Sequence, residues 1–212
     1  MARILVTAGP TFEPIDAVRY IGNRSSGKMG FAIATELIAQ GHEVVLIAGP
    51  TVLEAPQAAA FYKVETAQEM YDKVMEMWPT VHGAIKAAAV ADYTPRHVAT
   101  HKMKKEEATL VLELQPTKDI LAAMGQTKTS NQWLVGFALE THDGLAYAKD
   151  KLHRKNLDFI VLNSLSDPGA GFNVDTNKIT VIDRDQNVTT FGVKPKSEVA
   201  QDICEIIQPF LR

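Results

Sequence analysis

The 212 residues carry 22 Lys and Arg against 25 Asp and Glu, a formal net charge of -3, and 46% of them are hydrophobic. A chain of this length builds one sizeable core and is too short for two comfortable domains, so a single domain over residues 1–212 is expected. The charge balance excludes a non-specific nucleic-acid binder, which needs a basic face, and no stretch approaches the ~18 uninterrupted apolar residues of a membrane span.

RILVTA (Arg3 to Ala8) is a buried-strand run closed by the turn residues Gly9-Pro10. Its short apolar stretch reads as a first strand and not as a signal peptide. A polar segment punctuated by proline continues to Arg24. From Ser26 to Gln40 the spacing turns helical, with Met29, Ile33 and Leu37 on one stripe, and Gly41 ends it. HEVVLIAG and FYKVET are the next strands, AQEMYDKVMEMW is an amphipathic helix, and GAIKAAAVADY (Gly83 to Tyr93) is a fourth strand of small residues. This β-α-β-α-β order predicts a Rossmann-like, mostly parallel sheet with helices on both faces, whose ligands bind beyond the C-terminal strand ends.

HKMKKEEATLVLELQPT (His101 to Thr117) reads as a lysine-rich arm feeding an exposed strand, and KDILAAMG as a short helix. QWLVGFALET and DFIVLNSL are further strands on either side of a basic helix, GLAYAKDKLHRKN. KITVIDRDQNVTTFG is a hairpin turning at Asp185 to Asn187, and a last helix runs from about Ser197 to Leu211. Cys204 is the single cysteine. With no intramolecular disulfide possible, a reducing, cytoplasmic setting is expected, and the DICEII pattern favours a packing thiol over a nucleophile. The histidines, His42, His82, His97, His101, His142 and His153, show no paired ligand spacing, so no zinc site is expected, and no metal-binding residue is singled out.

The chemistry concentrates in loops. G-N-R-S-S-G-K (Gly22 to Lys28) fits the opening of a P-loop, but Met29 stands where a magnesium-binding hydroxyl belongs. A long segment with Pro10 and Pro14 also separates Gly22 from the strand end. The same string offers a helix N-terminus, with Ser25 or Ser26 as N-cap and with Arg24 and Lys28 adding positive charge, a seat for an anion. Asn23 beside it brings an amide that both donates and accepts. Asp92 is either a metal-binding carboxylate at a strand end or merely a residue that ends the strand. Lys102, Lys104 and Lys105 read either as site residues or as solubilising charges on an edge. Lys151 and Lys155 lie four apart, on one helix face. A kinase or NTPase of P-loop type using Gly22 to Lys28 and Asp92, and a non-catalytic nucleotide-binding module, are alternatives that these residues leave open.

TAGPTFEPIDAVRYIGNRSSGKMG, KAAAVADY, HKMKK, TKDIL, VGFALET and KLHRKNLD follow one another in an order that resembles the bacterial phosphopantothenate–cysteine ligases of coenzyme A biosynthesis. The likeness runs from about Ile4 to Phe172. It implies that L-cysteine is joined to 4′-phosphopantothenate through an acyl-cytidylate formed from CTP with Mg²⁺. It also implies a homodimer with sites completed across the interface, and in many bacteria a flavin-dependent decarboxylase in the same polypeptide.

Matched by position, Asn23 handles the acyl-nucleotide, and Lys102, on a closing flap, acts with it as the catalytic pair. Ala88, Asp92, Lys102, Phe137, Lys151 and Lys155 are expected at the nucleotide, with Lys118, Asp119, Ile120 and Leu121 in a loop touching the base. Many relatives have Pro where this chain has Lys118, a change that a main-chain contact there would survive. Arg19, Asn23, Ser25, Ser26, Gly27, Lys28 and Ala89 are expected on the phosphopantothenate side.

Overall fold

The structure is a computed structural model and describes residues 1–105, 109–140, 143–164 and 174–211. His142, Phe172, part of the lysine-rich arm and the last residues of the predicted strands QWLVGFALET and DFIVLNSL lie outside the described residues.

In chain order the strands are β1 (Arg3–Ala8), β2 (Phe12–Pro14), β3 (Tyr20–Gly22), β4 (Glu43–Ala48), β5 (Ala60–Lys63), β6 (Gly83–Lys86) and β7 (Tyr93–Pro95). They continue with β8 (Leu114–Pro116), β9 (Trp133–Glu140), β10 (Phe159–Ser164), β11 (Thr176–Asn177), β12 (Ile179–Asp183), β13 (Val188–Thr190) and β14 (Lys194–Pro195). The helices are α1 (Lys28–Ala39), α2 (Ala67–Met77), α3 (Ile120–Thr127), α4 (Gly144–Arg154) and α5 (Lys196–Ile207).

Eight strands form one sheet in the order β13-β12-β10-β9-β6-β1-β4-β5. From β5 to β10 every neighbouring pair is parallel, and the β12–β13 hairpin extends the sheet antiparallel beyond β10. The chain steps outward from β1 through β4 to β5, then returns to the other side of β1 through β6, β9 and β10. The point where the order reverses lies between β1 and β6, and a doubly wound sheet opens a crevice there, at its C-terminal end.

Alternation along the strands builds two cores. Ile4, Val6, Ala8, Leu46, Ile85, Val135 and Val161 meet α1 and α5 on one face. Leu5, Val45, Ile47, Ala84, Leu134 and Ile160 meet α2, α3 and α4 on the other. Cys204 is fully buried in the first core, and burial pushes its thiol up to about 12, so it packs as a small apolar group. Asp158 locks the second layer: its carboxylate takes the Lys128 ammonium at 2.7 Å, the Leu134 N–H at 2.7 Å and Arg184 Nε at 3.2 Å.

The fourth strand is shorter than its sequence indicates. Pairing stops at Lys86, and residues 87–91 run on as a loop joined to the first connection by a lone parallel bridge between Pro10 and Ala89. Hydroxyls stand in for a ladder: Thr7 Oγ1 accepts from Ala88 N–H, Thr11 Oγ1 accepts from Ala91 N–H, and Thr117 Oγ1 donates to Ala91 O. Asp92 therefore stands exposed beyond the strand end and not on it. Among the described residues of the exposed strand expected in the arm, Leu114–Pro116 pairs, antiparallel to β7. The last helix ends at Ile207, with a 3-10 turn over Gln208–Phe210.

Candidate active site

The long β1–α1 connection begins at Gly9 and folds into the β2–β3 hairpin before reaching α1. A P-loop needs the strand to run straight into its glycine turn, so the G-x-x-x-x-G-K match does not form one here. Met29 instead packs, half-buried, against the core below.

The helix start also differs from the serine cap expected of Ser25 or Ser26. The N-cap is Gly27, at φ 84°, and no side chain caps it. Ser25 Oγ turns back to accept the Gly27 N–H at 3.3 Å. Gly27 is required because a Cβ there would sit 3.2–3.3 Å from Gly9 N and Cα, in a backbone region that L-residues rarely adopt. The outcome suits an anion better than a serine cap would, since the first-turn N–H groups stay unsatisfied and that turn holds no acidic residue.

Two adjoining cavities occupy the crevice. The first, about 360 Å³, is lined by Asn23, Ser25 to Gly30, Ala87 to Val90 and, on its far side, Asn163, Asn177 and Lys196. The second, about 340 Å³, runs from Lys86 to the Thr117–Leu121 segment and Lys155. Ala88, Val90, Asp92, Phe137 and Lys151 line both and form the divide. The alanines matter as walls: larger side chains on residues 87–89 would fill the first cavity.

Asn23 lines the first cavity, its amide donating to Ala89 O at 3.0 Å. Lys151 Nζ donates to Phe137 O at 2.9 Å, and burial pushes its ammonium below the usual lysine range against the pull of Glu140, Asp119 and Asp92. Asp119 caps α3 through the Ala122 N–H at 2.8 Å and pairs with Lys155. Burial works against the Asp119 charge, yet Lys155 and the cap bond outweigh it and hold the carboxyl below its ordinary value. Lys28 pairs with Asp175 at 2.6 Å, so part of its expected spare charge is already committed.

The structure brings most of the expected residues together. Asn23, Ser25, Ser26, Gly27, Lys28, Ala88, Ala89, Asp92, Phe137 and Lys151 line the first cavity, and Lys118, Asp119, Ile120, Leu121 and Lys155 line the second. Ile120 and Leu121 open α3 and are themselves buried, so they are core residues as well as wall. Arg19 and Lys102 line neither cavity. Arg19 binds Asp16 through Nε at 2.9 Å and donates to Met103 O, while Asp16 also accepts the Met103 N–H. Arg19 thus ties the arm bearing exposed Lys102 to the β2–β3 hairpin and does not face the crevice.

Lys86, Asn163, Asn177 and Lys196 line the cavities without having been singled out in the sequence. For Lys86 there was a signal: a lysine inside the buried run GAIKAAA is out of place unless it faces something polar. Among the described residues no group of three or more His, Cys, Asp or Glu gathers to hold a metal ion, and no helix is long and apolar enough to cross a membrane.

Fold and site together define a doubly wound α/β protein with a two-part crevice at its topological switch point. The sequence profile described as "DNA/pantothenate metabolism flavoprotein C-terminal domain" matches residues 1–210, and the chain belongs to that family. It is 50% identical over 202 residues to a protein from an unknown prokaryotic organism described as a cysteine/cysteine sulfinic acid decarboxylase, covering 95% of this chain and 56% of that one. It is 43% identical over 205 residues to the coenzyme A biosynthesis bifunctional protein CoaBC of Bacillus subtilis (strain 168), covering 96% and 50%. The chain spans about half the length of these curated relatives. The crystal structure of the C-terminal domain of a CoaBC protein superposes with a TM-score of 0.84 at 42% identity, over 99% of this chain and 95% of that one. The DNA/pantothenate metabolism flavoprotein from Streptococcus pneumoniae shares the fold, with a TM-score of 0.86 at 24% identity over 99% and 100%.

Proposed function

We propose that this chain acts as one phosphopantothenate–cysteine ligase unit, joining L-cysteine to 4′-phosphopantothenate with CTP as co-substrate. The observation that carries this reading is the pair of cavities meeting at Asp92, Phe137 and Lys151, with the Asn23 amide fixed on the wall of the first. A reaction that joins two anionic molecules needs two such compartments and a shared boundary where their reactive groups meet.

The acid's phosphate sits at the uncapped start of α1, beside Lys28. The nucleoside lies in the second cavity against Lys118–Leu121 and Lys155. At the divide the substrate carboxylate attacks the α-phosphorus, the new acyl O–P bond forms, the α–β anhydride bond breaks, and pyrophosphate leaves. Lys151, half freed from solvent competition by burial, neutralises charge at that point. The cysteine amine, arriving neutral, then attacks the acyl carbon and displaces CMP. Asn23 orients the acyl oxygen during both steps, its amide already held by Ala89 O.

Mg²⁺, when bound with the nucleotide, supplies charge neutralisation on the phosphates. The donor set fits that use: Mg²⁺ is usually held by substrate phosphates and one or two carboxylates, and Asp92, on the divide shared by the two cavities, would hold it there. A homodimer, a flavin-dependent decarboxylase in the longer polypeptide and a cytoplasmic location belong to the same proposal. The decarboxylase description of one relative applies to a protein nearly twice the aligned length.

The test is pyrophosphate release from CTP, Mg²⁺, phosphopantothenate and cysteine, with the ligated product read by mass. ATP and UTP run in parallel define the base preference. Absence of pyrophosphate with every nucleotide sinks the reading, and carbon dioxide release from cysteine without nucleotide would replace it with decarboxylation.

A further inference from the structure

Lys86 is the last residue of β6 and only 7% exposed. It points to the α2–α3–α4 face, like Ala84 two residues before it, and it lines the second cavity. On one flank its sheet partner is Gly136, which brings no side chain to cover it. The other lysines of that cavity are committed: Lys118 lies over the Tyr71 ring, Lys151 binds Phe137 O, and Lys155 pairs with Asp119. Lys86 alone among them has no hydrogen bond and no ion pair to any described residue. A buried cation without a partner is costly, so the fold retains here a donor that nothing in the protein uses.

We infer that Lys86 is a specificity residue, donating from the floor of the second cavity to an acceptor on the nucleotide base. This rests on the ligase reading, in which that cavity holds the nucleoside. The surroundings favour a neutral polar edge over a phosphate. The charged groups that act on Lys86 are Lys151 of α4 and Asp119 ahead of α3, and Asp92 and Lys155 line the same cavity. A phosphate group placed here would face the Asp119 carboxylate, whereas the uncapped α1 terminus and Lys28 serve an anion in the first cavity. The walls, Ala88, Val90, Ala91, Ile120, Leu121 and Phe137, are apolar and suit a planar ring. Burial, and then the Lys151 charge, push the Lys86 ammonium down to about 7.

Lys86→Met and Lys86→Gln, assayed by pyrophosphate release with CTP, UTP and ATP, test the inference. Lys86→Met keeps the apolar stem and removes the buried charge, so its melting temperature is expected to equal or exceed that of the parent protein. Its KM for CTP rises about tenfold or more, the scale of one hydrogen bond to a charged group. Its preference for CTP over UTP falls, and its KM for phosphopantothenate stays unchanged. Lys86→Gln, which keeps a donor, recovers part of the preference. An unmoved KM for CTP and an unmoved preference overturn the inference and leave the ligase reading intact. So does a parallel rise in both KM values, which marks a structural role. A parent protein inactive with every nucleotide overturns both.

Discussion

The side-chain amide of Asn23 donates to the main-chain oxygen of Ala89 at 3.0 Å, across 66 residues of sequence. One bond thus ties the loop before α1 to the alanine loop after β6, on the wall of the first cavity. Asn23→Ala is expected to lower turnover of ligated product about a hundredfold, as loss of positioning does, while CTP affinity measured by calorimetry changes by less than about twofold. Equal loss of both would mean that Asn23 only shapes the loop. The bond is exposed, so the thermal cost is small, about 1 kcal/mol.

Gly27→Ala asks the helix start to hold a side chain at φ 84° and within 3.2–3.3 Å of Gly9. The expected cost is about 1–3 kcal/mol, the usual range for one residue held in a sparsely populated backbone conformation. In a chain of this size that is a drop of roughly 2–4 °C per kcal/mol in a thermal melt. Activity falls further than stability, because the displaced N–H groups are those offered to the anion. A variant as active and as stable as the parent would show that the anion does not sit there.

Asp16 carries the acid sensitivity of the arm. The Arg19 guanidinium first, and then the N–H groups of Met103, Val18 and Arg19, overcome burial and hold its carboxyl well below the usual carboxylate range. A depressed folded value makes the contribution full above the unfolded value and lost as pH falls through the folded one. The melting-temperature gap between parent and Asp16→Asn is therefore widest near neutrality and narrows below about pH 3.9. A gap that stays constant into acid refutes the assignment.

Asp158→Ala strands Lys128, whose side chain is 6% exposed, without its carboxylate and frees the Leu134 N–H. Breaking one partner of a buried pair costs about 3–5 kcal/mol, to be read from urea unfolding. Lys128→Met, which removes the buried cation along with the bond, is expected to cost less. The reverse order would place the value of the cluster in Lys128 packing and not in the pair.

Lys151→Gln is expected to raise the KM for nucleotide and to alter the alkaline limb of the parent's pH profile. Burial lowers the Lys151 ammonium, so its charge is present at low pH and lost as pH rises through a value below the ordinary ~10.4. A profile of KM for CTP against pH identical in parent and variant would remove Lys151 from the nucleotide.

Much of this architecture was legible in the residues. Runs such as RILVTA, HEVVLIAG and DFIVLNSL are apolar on both faces, as parallel strands covered by helices must be, and their alternation with helical spacing indicates the doubly wound order. The alanine run misled because its residues are extended without being laddered. A run of small residues reads alike whether a strand or the hydroxyls of Thr7, Thr11 and Thr117 hold it. The serine cap failed for a related reason: local preference favoured Ser25 or Ser26, but the close approach of Gly27 to Gly9 decided the turn.

By itself the sequence determined the periodicities, the switch-point fold they imply, and the residue types gathered in the loops. Only the tertiary structure decided which charges remain available. Lys28 is met by Asp175, Lys155 by Asp119 and Arg19 by Asp16, while Lys86 keeps its ammonium buried and unmatched at the floor of a cavity. The reason is physical: periodicity is a property of neighbours along the chain. Neutralisation and desolvation depend on distances of a few ångströms between elements, and those exist only once the sheet has brought its strand ends together.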